Sequence, residues 1–392
     1  MTTVCLIKAD QYDQELILKG LRLAWSSLEL SKLFKPGESI LLKPNLLSAV
    51  SAEQAVTTDP AVFAAVARLF RELEMEQPLR LSYGDSPAHE STAKAARISG
   101  LAAVAEELAI EAADFEHSQE IEFPADSSIR KLHIANGVLN SDGLVSICKF
   151  KTHALTGITG ALKNQFGVVP GLRKAKFHAV YSDIRAFATM LADLNKFLKP
   201  RLFIMDAIVS MEGNGPRNGR PKKTGYVLVG LDAPAVDTVM ASVTGHDTAK
   251  MKLFQTLSVL RTGVVDPAKI EVRIIDPAQD AVVKQGLLSE LIPELIITDF
   301  KQAKTENSLM TSASSFSGKL ARRFIMRRPV IDAEICISCG QCVASCPLEP
   351  KALSQTGREV PRYSYDKCIR CFCCQEICPA AAIQVRRPWQ RG

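Results

Sequence analysis

Residues 336–347 read C-I-S-C-G-Q-C-V-A-S-C-P, and residues 368–379 read C-I-R-C-F-C-C-Q-E-I-C-P. Both follow Cys-x-x-Cys-x-x-Cys-x-x-x-Cys-Pro, and each cysteine of the first run has a counterpart 32 residues later, so the segment is an internal duplication. Three thiolates at three-residue steps wrap one face of a cubane iron–sulfur cluster, and the fourth, placed before proline, reaches across to the other cluster. On that rule one [4Fe–4S] cluster takes Cys336, Cys339, Cys342 and Cys378, and the other takes Cys368, Cys371, Cys374 and Cys346. Zinc sites usually draw four ligands from two CxxC-like pairs, and disulfide scaffolds do not demand a duplicated spacing before proline. The CFCC stretch offers two adjacent thiols. Keeping the three-residue step selects Cys374 and leaves Cys373 as a spare, buried or redox-sensitive thiol.

Residues 329–392 resemble a bacterial-type two-cluster ferredoxin, which implies a small α+β domain and one-electron chemistry. Nine of the chain's 11 cysteines fall between Cys336 and Cys378; only Cys5 and Cys148 lie outside. The charge is concentrated there too. From Lys319 onward there are 13 Lys and Arg against 6 Asp and Glu, a balance of +7, so the remaining residues carry −1 of the net +6. Two clusters with four thiolates each would contribute −4 and reduce the tail to +3, which makes much of this basic excess the setting of anionic clusters. Upstream, K-T-E-N-S-L-M-T-S-A-S-S-F-S-G at 304–318 is rich in small polar residues and reads as a linker. Arg322, Arg323, Arg327 and Arg328 follow it, as a docking patch for an anionic partner or a solvated face. The linker and basic segment are placed at 301–328.

Residues 1–300 alternate short apolar or β-branched runs with longer helical patterns, which predicts a layered α/β domain on a mostly parallel sheet. Strands are expected at 4–8, 39–43, 79–83, 144–148, 202–205, 226–230 and 271–275. Helices are expected at 14–32, 60–73, 101–112, 183–198 and 234–244. Ligands of such a sheet gather beyond the carboxyl ends of its strands. The N-terminus lacks a basic segment followed by a long apolar run, and the best apolar stretch, 61–70, is short and contains Arg68. A cytoplasmic protein without a membrane span is expected, and nucleic-acid binding is not.

Five polar segments fall at expected strand ends: K-P-N at 43–45, G-D-S-P at 84–87, K-F-K-T-H at 149–153, G-A-L-K-N-Q-F-G at 160–167, and E-G-N-G-P at 212–216 running on to Lys222 and Lys223. Together with His178 and the A-x-D of Ala235–Asp237, they resemble the domain of unknown function 362 family, whose members are often fused to ferredoxin modules. Lys43, Lys149, Lys151 and Lys163 supply positive charge, and glycines such as Gly213 and Gly215 let backbone N–H groups approach a phosphate or carboxylate. A helix carrying Lys163 and Asn164 would add its N-terminal potential. This suits a flavin nucleotide, another phosphorylated cofactor or a small anionic substrate. No G-x-G-x-x-G or Walker spacing is present.

Lys43, Asn45, Gly213 and Gly215 are therefore the expected cofactor-binding residues, and Lys151, His153, Lys163, Asn164 and His178 the expected catalytic ones. His153 and His178 could act as general acids near neutral pH with Asp85, Asp206 or Glu212 as partner, or these five could hold a divalent metal. The resulting expectation is an iron–sulfur redox protein, relaying single electrons to or from a site in the α/β domain or a docked redox partner protein, as in a ferredoxin-linked oxidoreductase. The alternatives are a non-enzymatic carrier or adaptor and a redox sensor with structural clusters.

Overall fold

The computed structural model describes residues 1–73, 75–87, 90–171, 173–181, 183–303 and 326–390. Its large domain is built on a ten-stranded sheet. The chain contributes β1 (Thr2–Lys8), β2 (Ser39–Pro44), β3 (Arg80–Tyr83) and β4 (Glu111–Ala112), then a separate hairpin of β5 (Ser118–Glu122) and β6 (Lys131–Ala135). It returns with β7 (Gly143–His153), β8 (Gly157–Thr159), β9 (Leu202–Glu212), β10 (Arg220–Gly230), β11 (Ile270–Asp276) and β12 (Ala281–Leu287). The order is β12-β11-β1-β10-β9-β7-β2-β3-β4, with β8 folded back on the end of β7. Strands β9, β7, β2, β3 and β4 pair in parallel, as do β1 and β11. Strand β10 enters antiparallel between β9 and β1, and β12 closes one edge antiparallel.

Alternation along the central strands divides the interior into two cores. Cys5, Ile7, Ile40, Leu42, Val145, Ile147, Leu202 and Ile204 face the helices Gln14–Ser27 and Pro60–Arg71. Val4, Leu6, Cys148, Phe150, Phe203 and Met205 face Ile184–Leu198 and Ala233–Val243 on the other side. Strands covered on both faces must be apolar throughout, which is why these runs were readable as strands. The helices start where carboxylates can cap them: Asp13, Asp59, Asp183 and Asp232 each accept at least one first-turn N–H.

Two expected helices are shorter than their apolar patterns. The first stops at Ser27 because Glu29 turns left-handed (φ 52°), and the one from Leu101 stops at Glu107, with Ala109 at φ 49° leading into β4. Conversely, β7, β9 and β10 each run for 11 residues, well past their apolar centres. The K-F-K-T-H segment thus continues the strand expected at 144–148 instead of following its end. In the small domain β13 (Arg328–Ile331) pairs antiparallel with β16 (Ile383–Arg386), and β14 (Leu353–Ser354) with β15 (Arg362–Tyr363). Short helices at Gln341–Ala344 and Cys373–Ile377 complete it. The expected linker at 304–318, with Arg322 and Arg323, lies outside the described residues. Arg328 is placed 3.9 Å over the Tyr365 ring, an intramolecular contact within the small domain. Among the described residues no helix is long and apolar enough to cross a membrane.

Candidate functional site

The small domain holds two small recesses. Cys336, Cys339, Cys342 and Cys378 line the first, and Cys346, Cys368, Cys371 and Cys374 line the second. The rest of each wall is mainly apolar, with Ile331, Pro361 and Ile383 in one and Pro329, Leu353 and Phe372 in the other. No disulfide forms among the described cysteines, and no three described His, Cys, Asp or Glu residues converge on a single ion. Zinc would draw four sulfurs to about 2.3 Å from one centre. Thiols held around a cavity fit a larger iron–sulfur core. Hydrogen bonds to sulfur are in place as well: Ala352 N–H donates to Cys346 Sγ at 3.4 Å, and the Tyr363 hydroxyl to Cys374 Sγ at 3.2 Å. Cys373 lines neither cavity.

In the large domain the carboxyl ends of β2, β3, β7 and β9 bring the polar segments together. Lys43 is fully buried, 2.8 Å from Asp85, and donates to the Asn164 carbonyl at 2.6 Å. Lys149 donates to Asp206 and to the Tyr12 hydroxyl, both at 2.8 Å. Two of the four expected cleft lysines are therefore neutralised by buried carboxylates. Lys151 behaves differently, donating to Asn45 Oδ1 at 2.7 Å and the Val56 carbonyl at 2.6 Å. Both acceptors are neutral, and burial together with Lys163 and Lys149 holds its pKa down to about 7. Asn164 is a scaffold: its amide donates to Ser146 Oγ at 2.9 Å and its Oδ1 accepts from Asn45.

Other expectations change for identifiable reasons. The helix carrying Lys163 spans only Ala161–Asn164, and its first N–H groups, at Ala161 and Leu162, donate to Asp237 at 2.6 and 3.0 Å. They are not available to an anion. Gly213 N–H donates to the Lys301 carbonyl and Gly215 N–H to Thr152 Oγ1, so neither is a free phosphate donor. Gly215 is needed for contact instead, since a Cβ there would sit 2.2 Å from the Thr152 carbonyl oxygen.

The histidines are not poised near neutrality. Burial lowers the pKa of both, that of His178 to about 4. His153 Nδ1 accepts the Leu155 and Thr156 N–H groups at 3.1 and 3.2 Å, which fixes the proton on Nε2. That nitrogen lies 2.8 Å from Glu376 Oε1 of the small domain, not beside Asp85, Asp206 or Glu212. Burial would raise the Glu376 carboxyl, but His153 and Lys163 outweigh it and keep the group below the usual carboxylate range.

This contact belongs to a docked interface. Gln375 donates to the Asn214 carbonyl at 2.9 Å and the Gly215 carbonyl at 3.3 Å, Asn218 donates to the Gln375 carbonyl and Arg217 to the Ile377 carbonyl, each at 2.9 Å. The 212–219 loop thus holds the helix Cys373–Ile377, which contains Cys374 and precedes Cys378. Beside it a pocket, open at its mouth, is shared by both domains. Lys151, Lys163, Asn45, Asn164 and His178 reach it from one side, and Gln341, Ser345, Cys373, Glu376 and Ile377 from the other. Lys174, Arg217 and Glu376 were missed by sequence reasoning. Lys174 and His178 share a face of the helix Arg173–Val180 at i and i+4, a pattern that was open to view once His178 was of interest.

An α/β domain docked on a small domain with duplicated cysteine runs defines an iron–sulfur protein of the electron-transfer class. The family described as Domain of unknown function (DUF362) matches residues 40–242, just over half of the chain, and a 4Fe-4S dicluster domain matches 328–379. The chain belongs to the DUF362 family and carries a C-terminal ferredoxin domain. It is 32% identical over 250 residues to a thylakoid-associated protein of Synechocystis sp., spanning 63% of this chain and 76% of that protein. The C-terminal region is 46% identical over 56 residues to a ferredoxin of Pyrobaculum islandicum, covering 14% of this chain and half of the ferredoxin. It is 37% identical over 59 residues to the pyruvate synthase subunit PorD of Thermotoga maritima, covering 15% of this chain and 58% of the subunit.

Proposed function

We propose that the chain, with an α/β domain at 1–300, a linker at 301–328 and a cluster domain at 329–392, moves single electrons between two [4Fe–4S] clusters and a ligand in the shared pocket. The carrying observation is that residues flanking the cysteine ligands, Gln341, Ser345, Cys373 and Glu376, form one wall of that pocket. Cys336, Cys339, Cys342 and Cys378 would hold one cluster, and Cys346, Cys368, Cys371 and Cys374 the other. Bound clusters of this kind supply reversible one-electron transfer. The protein's own part is positional: Gln375 and the 212–219 loop fix the small domain against the pocket, and Lys151 and Lys163 supply positive potential to an anionic cofactor, a flavin nucleotide included, or to a substrate. A cytoplasmic setting, where thiols stay reduced, belongs to this reading.

Iron and sulfide analysis of anaerobically purified protein should give about eight irons per chain, with EPR signals on reduction. Zinc in their place would defeat the proposal. Absorbance of the supernatant after acid release decides whether a flavin accompanies the clusters. A second reading, a carrier serving an external redox protein, is favoured by exposed Cys339 with exposed Ile335 and Ile337 near it.

A further inference from the structure

The pocket has more positive charge than its walls neutralise. Lys151, 1% exposed, faces only the neutral oxygens of Asn45 and Val56. Lys174 donates to the Ser86 carbonyl, also neutral. Lys163 makes no hydrogen bond or ion pair with any described residue, yet its charge acts on Lys151, His153 and Glu376. Among the wall carboxylates, Asp85 is paired with Lys43 and half-buried Glu90 acts on Arg217, while Glu376 faces the His153 ring, whose pKa burial lowers, so one carboxylate stands against three lysines. Two further polar atoms among the lining residues are buried without a protein partner, Ser48 Oγ and His178 Nδ1. Lys151 is an ammonium group withdrawn from water without a counter-charge, which is costly, and the unpaired buried polar atoms add to that cost; Lys163 and Lys174 are half-buried beside it. Leu47, Phe166 and Ile377 supply an apolar side to the same space.

We propose that the pocket binds a compact polyanion with at least two negative charges on carboxylate or phosphoryl groups, completing Lys151, Lys163 and Lys174 while its body lies against Leu47, Phe166 and Ile377. This rests on reading the shared pocket as the functional site and names the chemical class of its ligand. The competing use of the lysines is to balance the charge of the clusters themselves.

Proton uptake gives the proposal a readout apart from activity. Burial holds Lys151 and Lys174 down to about 7, so above neutral pH the empty pocket is partly deprotonated. The charged groups acting on this pair are Lys43, Lys149, Lys163, Asp85 and Glu376, and His178, Arg217 and Glu90 line the same space. A polyanion favours the charged lysines and must draw protons in. Binding therefore weakens as pH rises from 7 to 9.

The test is calorimetric titration of anaerobic, iron-loaded protein with pyrophosphate and with propane-1,2,3-tricarboxylate, in two buffers of different ionisation enthalpy. At least one should bind at one site per chain with proton uptake at pH 8, and butyrate should bind at least about tenfold more weakly. Lys163→Met removes no described bond, so the fold should persist while affinity falls about tenfold or more; Lys174→Met should act in the same direction. No binding of either polyanion, or unchanged affinity in both variants, overturns the proposal. A shift of cluster potential in Lys163→Met without polyanion binding assigns the lysines to the clusters and overturns it as well. Protein that never acquires iron defeats the electron-transfer reading instead, a separate result.

Discussion

His178 stacks on Phe187 with ring centroids 4.6 Å apart, and its Nδ1 has no partner. Burial lowers its pKa from an ordinary value of about 6.5 to about 4, and the same happens to His246. An unfolded chain takes up these protons near pH 6.5 whereas the folded one resists until about pH 4, so stability is fully present above pH 6.5 and is lost as pH falls. The loss amounts to up to about 3 kcal/mol for each histidine. Replacing His178 by Phe keeps the stack and removes the titration. The fall in melting temperature between pH 7 and pH 5 should therefore be smaller in His178→Phe than in the parent; an equal fall would show that burial of this ring does not govern acid stability. Asp237 shows a different limit of residue-level reading. Its position in an A-x-D motif was visible, but its partners, the Ala161 and Leu162 N–H groups, come from a remote segment. Replacing its carboxylate by the amide of Asn leaves one of those buried donors facing an NH2 group. Asp237→Asn should lower unfolding free energy by about 1–3 kcal/mol in a denaturant titration.

The central strands were legible because both faces of the sheet are covered, which forces continuous apolar runs such as Ile40–Leu42 and Leu202–Met205. Their extensions were not, because Lys149, Lys151 and Asp206 are buried by mutual pairing and hydrogen bonding rather than by apolarity. Strand β5 was missed for the opposite reason, since it is largely solvent-facing and carries no apolar alternation. The 212–219 loop was singled out for its glycines, but Gly215 and Gly219 serve close packing and Gly213 a left-handed turn (φ 76°). Removing the Gln375 side chain would leave the Asn214 and Gly215 carbonyls without their donor, at a cost of about 1–3 kcal/mol to docking. In the iron-loaded protein, Gln375→Ala should speed hydrogen exchange at residues 373–378 while β2 and β7 keep their protection. Unchanged exchange at 373–378 would mean that the loop does not hold the helix. Gly215→Ala should act more strongly, because its Cβ would meet the Thr152 backbone.

At the scale of the whole molecule, each short helix of the small domain spans from one cysteine cavity to the other. Gln341–Ala344 contains Cys342 of the first cavity and is followed by Cys346 of the second; Cys373–Ile377 contains Cys374 of the second and is followed by Cys378 of the first. Both helices also border the shared pocket, so a ligand there lies beside segments tied to both cavities. Crossed ligation makes a prediction that sequential ligation reverses. Cys336→Ala with Cys378→Ala removes two thiols from one cavity, so about four irons should remain; Cys336→Ala with Cys346→Ala damages both, and iron should fall below that. Were each duplicated run to bind its own cluster, the second pair would retain about four irons and the first would not. Cys373→Ser should retain about eight, because its thiol borders the pocket and neither cavity. Iron analysis of these three variants distinguishes a module whose two halves are tied together at the pocket wall from two independent cluster sites in tandem.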